Sequence, residues 1–219
     1  MSAATKVNKT IPVIYTVAYS PLQMGVNKPD NMTGVYDSLD MSGMLNNVIR
    51  VLPGIKVIGT VYNPSEPNAE FAVKKLEEEC KKRDIELIKT TILSVNDIEL
   101  SVLTLADKGV QAIIESSDNV VFTGIELVVK ICNRRKIPLF VTEPVQTGRG
   151  AVLGYGVDYE SWGQESGKLA VRILNGEKPN AIPDVPLLKR QLIINLKAEK
   201  LQGVIIPQSL LETADKVIN

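Results

Sequence analysis

The sequence predicts an α/β fold, a mostly parallel sheet flanked by helices. Three observations carry this expectation. Short apolar runs alternate with amphipathic stretches along the 219 residues, the pattern of repeated βα units. The runs are β-branched and nearly continuous rather than alternating, as strands covered on both faces require. The stretches between them repeat apolar residues at helical spacing, with Lys and Glu on the other faces.

Apolar runs at residues 11–18, 55–61, 85–92, 110–114, 137–141 and 152–157 predict strands. Ala69, Ala72, Val73, Leu76 and Cys80 predict one covering helix. Ile98, Val102 and Leu105 predict a second, with Ser94 and Asp97 spaced to cap its start. Val121, Ile125, Val128 and Cys132 predict a third, which ends in Arg134, Arg135 and Lys136, where cations suit the negative end of the helix dipole. A fourth covers residues 161–175, with Trp162, Leu169 and Ile173 on one face and Gly176 as its stop. Residues 178–186 carry Pro179, Pro183 and Pro186 and predict an extended connector. A last strand near residues 191–196 and a closing helix over 207–217 complete the expected order.

Composition narrows the chemistry. Lys+Arg 25 against Asp+Glu 25 leaves no net charge, so the basic footprint of a nucleic-acid binder is missing. The chain has no histidine, which excludes Ser-His-Asp and Cys-His pairs and every histidine-containing zinc site. Cys80 and Cys132 are too few for a disulfide framework or a four-cysteine metal site, and both read as packing residues. Gly148-Arg149-Gly150 lacks the third glycine of a dinucleotide fingerprint, and no phosphate loop is present. No catalytic residue, metal ligand or cofactor is assigned, and an enzyme is not expected. No apolar run approaches the ~18 residues that span a bilayer, and residues 1–6 lack the apolar centre of a signal peptide.

In open parallel sheets a ligand sits beyond the carboxyl ends of the strands. The residues there are Tyr19, Ser20 and Pro21 after the first run and Glu115, Ser116, Ser117, Asp118 and Asn119 after the fourth. Glu143 and Pro144 follow the fifth run, and Asp158 and Tyr159 the sixth. Tyr19, Ser20, Ser117, Asp118, Glu143, Asp158 and Tyr159 are the candidate ligand contacts. Carboxylates, hydroxyls and tyrosine faces together suit a small polar or zwitterionic ligand, an ammonium group being the counterpart of Asp118 or Glu143. Each also has a purely structural reading. Asp118-Asn119 and Asp158 fit helix caps, and Glu143-Pro144 fits a turn.

Ordered motifs along nearly the whole chain add a resemblance. Ile11-Pro12-Val13-Ile14-Tyr15, Asn31-Met32-Thr33-Gly34-Val35, Leu52-Pro53-Gly54 and Val61-Tyr62-Asn63-Pro64 resemble segments of the ABC-transporter substrate-binding proteins of the tryptophan-binding (TrpX-like) family. So do Ser117-Asp118-Asn119, Lys136-Ile137-Pro138-Leu139-Phe140, Gly156-Val157-Asp158-Tyr159 and Ile173-Leu174-Asn175-Gly176-Glu177-Lys178-Pro179. The tail, Ile193-Ile194-Asn195-Leu196-Lys197-Ala198 with Ile206-Pro207 and Ala214-Asp215-Lys216-Val217-Ile218, also fits. Ser20-Pro21 stands where the family usually has Asp-Pro, and Pro29-Asp30 where it has Gly-Gly.

The resemblance implies a type I periplasmic-binding-protein fold, two α/β lobes that close on a ligand, with aromatic amino acids among the family's ligands. It implies an ABC permease as partner and an extracytoplasmic location, with a ligand-sensing regulatory domain on the same fold as the alternative. It covers about the last two-thirds of the family sequence. Residues 1–36 are then expected as a remnant of lobe one, 37–158 as lobe two, 159–185 as a return helix and connector of lobe one, and 186–219 as the end of lobe two. A truncated first lobe would leave the strand at 11–18 and the helix at Trp162 short of sheet neighbours, which predicts self-association there.

Overall fold

The computed structural model describes residues 9–219; the signal-peptide reading of residues 1–6 falls outside them. In chain order the first elements are β1 (Val13–Tyr15), β2 (Met32–Asp37), α1 (Met41–Val51), β3 (Val57–Tyr62), α2 (Pro67–Lys82) and β4 (Glu86–Thr91). Next come α3 (Ile98–Asp107), β5 (Ala112–Glu115), α4 (Asn119–Thr123), α5 (Ile125–Arg135), β6 (Leu139–Val141) and β7 (Leu153–Val157). The chain finishes with α6 (Tyr159–Leu174), β8 (Val185–Leu187), β9 (Arg190–Asn195), α7 (Leu196–Gln202), α8 (Gln208–Leu211) and β10 (Lys216–Ile218). Among the described residues no helix is long and apolar enough to cross a membrane.

The chain divides into two compact units, one reaching to Leu39 and taking up again at Val157–Lys189, the other formed by Asp40–Gly156 and Arg190–Asn219.

The first unit holds a three-stranded sheet in the order β1-β2-β8. Both pairings are parallel, with Ile14 opposite Thr33 and Val35 opposite Val185. Gly34 is required at the first of these seams, because a Cβ there would meet the Tyr15 ring at 2.5 Å. The apolar face of α6 covers the sheet: Trp162 and Leu169 pack with Val35, Val157, Ile182 and Leu187, and the Trp162 indole N–H donates to the Val35 carbonyl at 2.9 Å. A truncated first lobe is expected to leave the strand at 11–18 and the Trp162 helix short of sheet neighbours, and β2 and β8 are not among the expected strands. In the structure β1 has β2 on one side and is otherwise the edge of the described sheet, and Trp162 is 4% exposed. β8 sits in the proline-rich connector, and Pro186 is tolerated because β8 is an edge strand.

The second unit is built on a seven-stranded sheet, order β10-β9-β7-β6-β5-β3-β4, with parallel registers such as Ile58 opposite Leu87 and Ile114 opposite Phe140. The apolar stripes of α3 and α5 form a core with β3, β5 and β6 through Val61, Val102, Leu105, Ile113, Val128 and Leu139. Helix α1 buries Met41, Met44, Leu45, Val48 and Val51 and packs on α2. Cys80 and Cys132 are free and buried, and burial pushes both thiols up to about 12.

Four readings of this unit need correction. The third helix is two, α4 and α5, broken at Gly124, where a Cβ would meet Ile98 Cδ1 at 2.6 Å; close packing on α3 decides the break. Strand β4 is an edge, with Glu86 and Thr91 exposed, not covered on both faces. Helix α1, with Gly43, Asn46 and Asn47 in its sequence, was not foreseen. Residues 207–217 are not one helix: α8 is a single turn after Pro207, and β10 pairs with β9, Val217 opposite Ile194. Asp215 fixes that change, its backbone N–H donating to Leu192 O and its carboxylate accepting from Leu192 N–H at 2.7 Å.

Candidate functional site

In the second unit the carboxyl ends of β3, β5 and β6 are neighbours, so the short segments leaving them meet. β5 ends on Glu115, followed by Ser116, Ser117 and Asp118; β3 leads to Asn63; β6 leads to Thr142, Glu143 and the 3-10 turn Pro144–Arg149, which carries Gln146.

Asp118 is 1% exposed and carries two neighbours. One carboxylate oxygen accepts the backbone N–H of Asn63 at 2.5 Å, the other that of Val121 at 2.8 Å, which caps α4. Burial raises its pKa, while the Asn63 and Val121 N–H groups oppose that shift. Ser117 takes a left-handed backbone, φ 49°, and its carbonyl accepts from the Asn68 side-chain amide at 2.5 Å. Glu66, at the start of α2, accepts from the backbone and side-chain N–H groups of Asn119. These bonds tie the β5 loop to α2.

Glu115 is fully buried, and Gln146 joins it to Glu143. The Gln146 side-chain N–H₂ donates to a carboxylate oxygen of each at 3.1 Å. The Asp118 backbone N–H also points at Glu115, at 3.4 Å. Burial first, and then the charge of Glu143, push Glu115 well above the ordinary carboxylate range. Four buried polar atoms in the segments leaving β5 and β6 have no hydrogen-bond partner among the described residues: the hydroxyls of Ser116, Thr142 and Thr147 and the Gln146 carbonyl oxygen. Gly154 and Gly156 let β7 approach the 142–147 segment, since a Cβ at either would collide with it, at Thr147 and Pro144 for Gly154 and at the Thr142 carbonyl for Gly156.

Of the seven sequence candidates, Asp118 and Glu143 are therefore brought together around Glu115, and Ser117 lies in the same loop as Asp118. Four lie in the first unit. Tyr19 is buried and bridges Asp37 beside the end of β2. Ser20 is buried, and its carbonyl accepts from Met24 N–H in the following turn. Asp158 accepts from the Ser161 hydroxyl at 2.5 Å and pairs with Lys189 at 2.9 Å, which together hold its carboxyl below the usual range. Tyr159 stacks against Trp162, ring centroids 5.8 Å apart. Gln146 and Asn63, which stand at the same edge, were not among the sequence candidates. Asn63 follows an apolar run in the same way as the chosen residues, whereas Gln146 lies three residues beyond Glu143 in a turn that hydropathy does not mark.

The edge gathers carboxylates, hydroxyls and an amide carbonyl. Such a set holds a hydrogen-bond donor. No group of three or more His, Cys, Asp and Glu side chains is placed to hold a metal ion among the described residues.

Fold and edge define the class. This is an α/β protein of the type I periplasmic-binding-protein fold, its polar groups gathered at the carboxyl edge of a parallel sheet. A family model described as ABC transporter substrate binding protein matches residues 2–218, and the chain belongs to that family. A relative named tyrosine-binding protein, from Clostridioides difficile (strain R20291), is 31% identical over 208 residues, which are 91% of this chain and 60% of the relative. The chain thus spans three fifths of that relative's length. A crystal structure of a conserved domain protein from Vibrio cholerae O1 biovar El Tor is 29% identical, with a TM-score of 0.91 over 98% of this chain and 74% of that one. An ABC domain in complex with L-Trp from Streptococcus pneumoniae is 26% identical, with a TM-score of 0.89 over the same shares.

Proposed function

We propose that this chain is a solute-binding component of an ABC importer, or part of one, and that it binds an aromatic amino acid without transforming it. The observation that carries the reading is the convergence of Glu115, Asp118, Glu143 and Gln146 at one sheet edge. The names of the relatives, one binding tyrosine and one solved with L-Trp, supply the ligand class. Tyr19, Ser20, Asp158 and Tyr159 are proposed as ligand contacts of the first unit. The lobe boundaries expected near residues 36, 158 and 186 are part of the same proposal, as are an extracytoplasmic location and a permease that reads the ligand-bound state.

Calorimetry with L-tyrosine, L-tryptophan and L-phenylalanine, with ribose as a control, tests this. Saturable heat from at least one aromatic amino acid and none from ribose is expected; heat from ribose alone would overturn the ligand class. Self-association through the first unit, where Ile11, Leu22 and Leu174 are exposed, is read separately by light scattering, and a constant monomer mass at high concentration removes it.

A further inference from the structure

We propose that Glu66 and Asn68, at the start of α2, are positioning residues for the ligand: they hold Ser117 in a left-handed backbone before any ligand arrives. The inference rests on the reading of Ser117 and Asp118 as ligand contacts and adds to it what keeps their loop in place.

Carboxylate and amide side chains at a helix start ordinarily serve their own helix. Glu66 stands at the N-cap position of α2, yet its side chain makes no capping bond there. Its Oε2 instead accepts three N–H groups: the Asn119 backbone at 3.1 Å, the Asn119 side-chain amide at 2.5 Å and the Asn68 amide at 3.4 Å. The same Asn68 nitrogen donates to the Ser117 carbonyl at 2.5 Å. Two side chains from the segment after β3 thus grip the residue before Asp118 and the residue after it. Pro67 restricts the backbone between them.

These bonds act on a backbone that needs holding. Ser117 has φ 49°, a region that a residue with a Cβ enters at a cost and keeps where its neighbours over-determine it. The register between β3 and β5 pairs Ile58 with Ala112 and Gly59 with Ile113; the loop lies beyond those pairs, and side chains tie it down. Asp118 does so through the Asn63 and Val121 N–H groups, from the far side of the turn. The Asn68 bond acts on the Ser117 carbonyl itself. Without the strap the turn relaxes toward extended backbone, and a ligand that needs the turned loop binds only the fraction of molecules still holding it. Apparent affinity falls with that fraction.

The test uses the 219-residue chain labelled with ¹³C and ¹⁵N, with the tightest binder among L-tyrosine, L-tryptophan and L-phenylalanine as probe. In the wild type the Ser117 Cα shift and its N–H to Hα coupling should report a left-handed residue with and without the probe. Asn68→Ala and Glu66→Ala should lose that signature in the free protein and bind the probe about tenfold more weakly. Saturating probe should restore the signature in both, which a purely structural tie would not show. Glu66→Gln keeps an acceptor for Asn119 and should behave as wild type. A left-handed Ser117 in both free alanine variants overturns the proposal. So does loss of the signature with wild-type affinity, or a signature still missing at saturation; each of these leaves the ligand reading intact. Failure of all three amino acids to bind the wild type overturns the ligand reading and, with it, the positioning role, even where the strap holds Ser117.

Discussion

The carboxylate of Asp118 accepts the backbone N–H of Asn63 at 2.5 Å, and so fastens the loop after β5 to the end of β3. The same side chain caps α4 through Val121. One residue thus sets the spacing of two strand ends at the candidate site. Its first duty is structural, and any part in ligand binding is built on that.

Replacing Asp118 by alanine should therefore cost stability as well as binding. Losing a helix cap and leaving the Asn63 N–H buried without an acceptor is expected to destabilise the second unit by about 2–4 kcal/mol. Asp118→Asn retains an acceptor and should cost less. Urea unfolding followed by far-ultraviolet circular dichroism checks both; an alanine variant as stable as the wild type would show that these bonds contribute nothing net.

Glu115 gives stability a distinctive pH dependence. Its folded-state pKa is raised, so its favourable contribution is complete below the ordinary glutamate range and is lost as pH rises through the folded value. Glu115→Gln should remove that loss, leaving the variant more stable relative to wild type at pH 8 than at pH 5. Asp158 works in the opposite sense: its lowered pKa gives stability present at neutral pH and lost in acid. Unfolding midpoints at the two pH values for both proteins test the prediction, and equal differences at pH 5 and pH 8 would contradict it.

Away from the site, Gln202 is fully buried and does the work of missing backbone. Its carbonyl accepts Leu139 N–H at 2.7 Å at the start of β6, while its amide donates to Gly150 O and the Asn133 side chain. Gln202→Leu keeps the volume and removes these bonds, and should cost about 2–3 kcal/mol. Amide hydrogen exchange at Leu139 should rise in step; unchanged protection there would contradict the assignment.

Much of this architecture was legible in the sequence because burial on both faces leaves near-continuous apolar runs, as at β3, β5 and β6. Helices that cover one face leave stripes, as at α2, α3 and α6. Strands β2, β8 and β10 escaped because they are short, interrupted by Gly34 or Pro186, or, at Val217 and Ile218, spaced so that they continue an apparent helical stripe. Pairing with a neighbour, not local propensity, makes them strands. The candidate edge was legible as positions after strands, and Ser117, Asp118 and Glu143 do stand at the adjacent ends of β5 and β6. Gln146 was not, because only the turn at Pro144–Arg149 brings its amide back to Glu115.

Amide chemical-shift mapping of the isotopically labelled chain with L-tyrosine, followed over time, tests the central claim most directly. Saturable shifts should centre on residues 115–118, Glu143 and Gln146, with the tyrosine signals unchanged after prolonged incubation. Saturable shifts confined to the opposite, amino-terminal end of the strands, or the appearance of a product from the ligand, would contradict it.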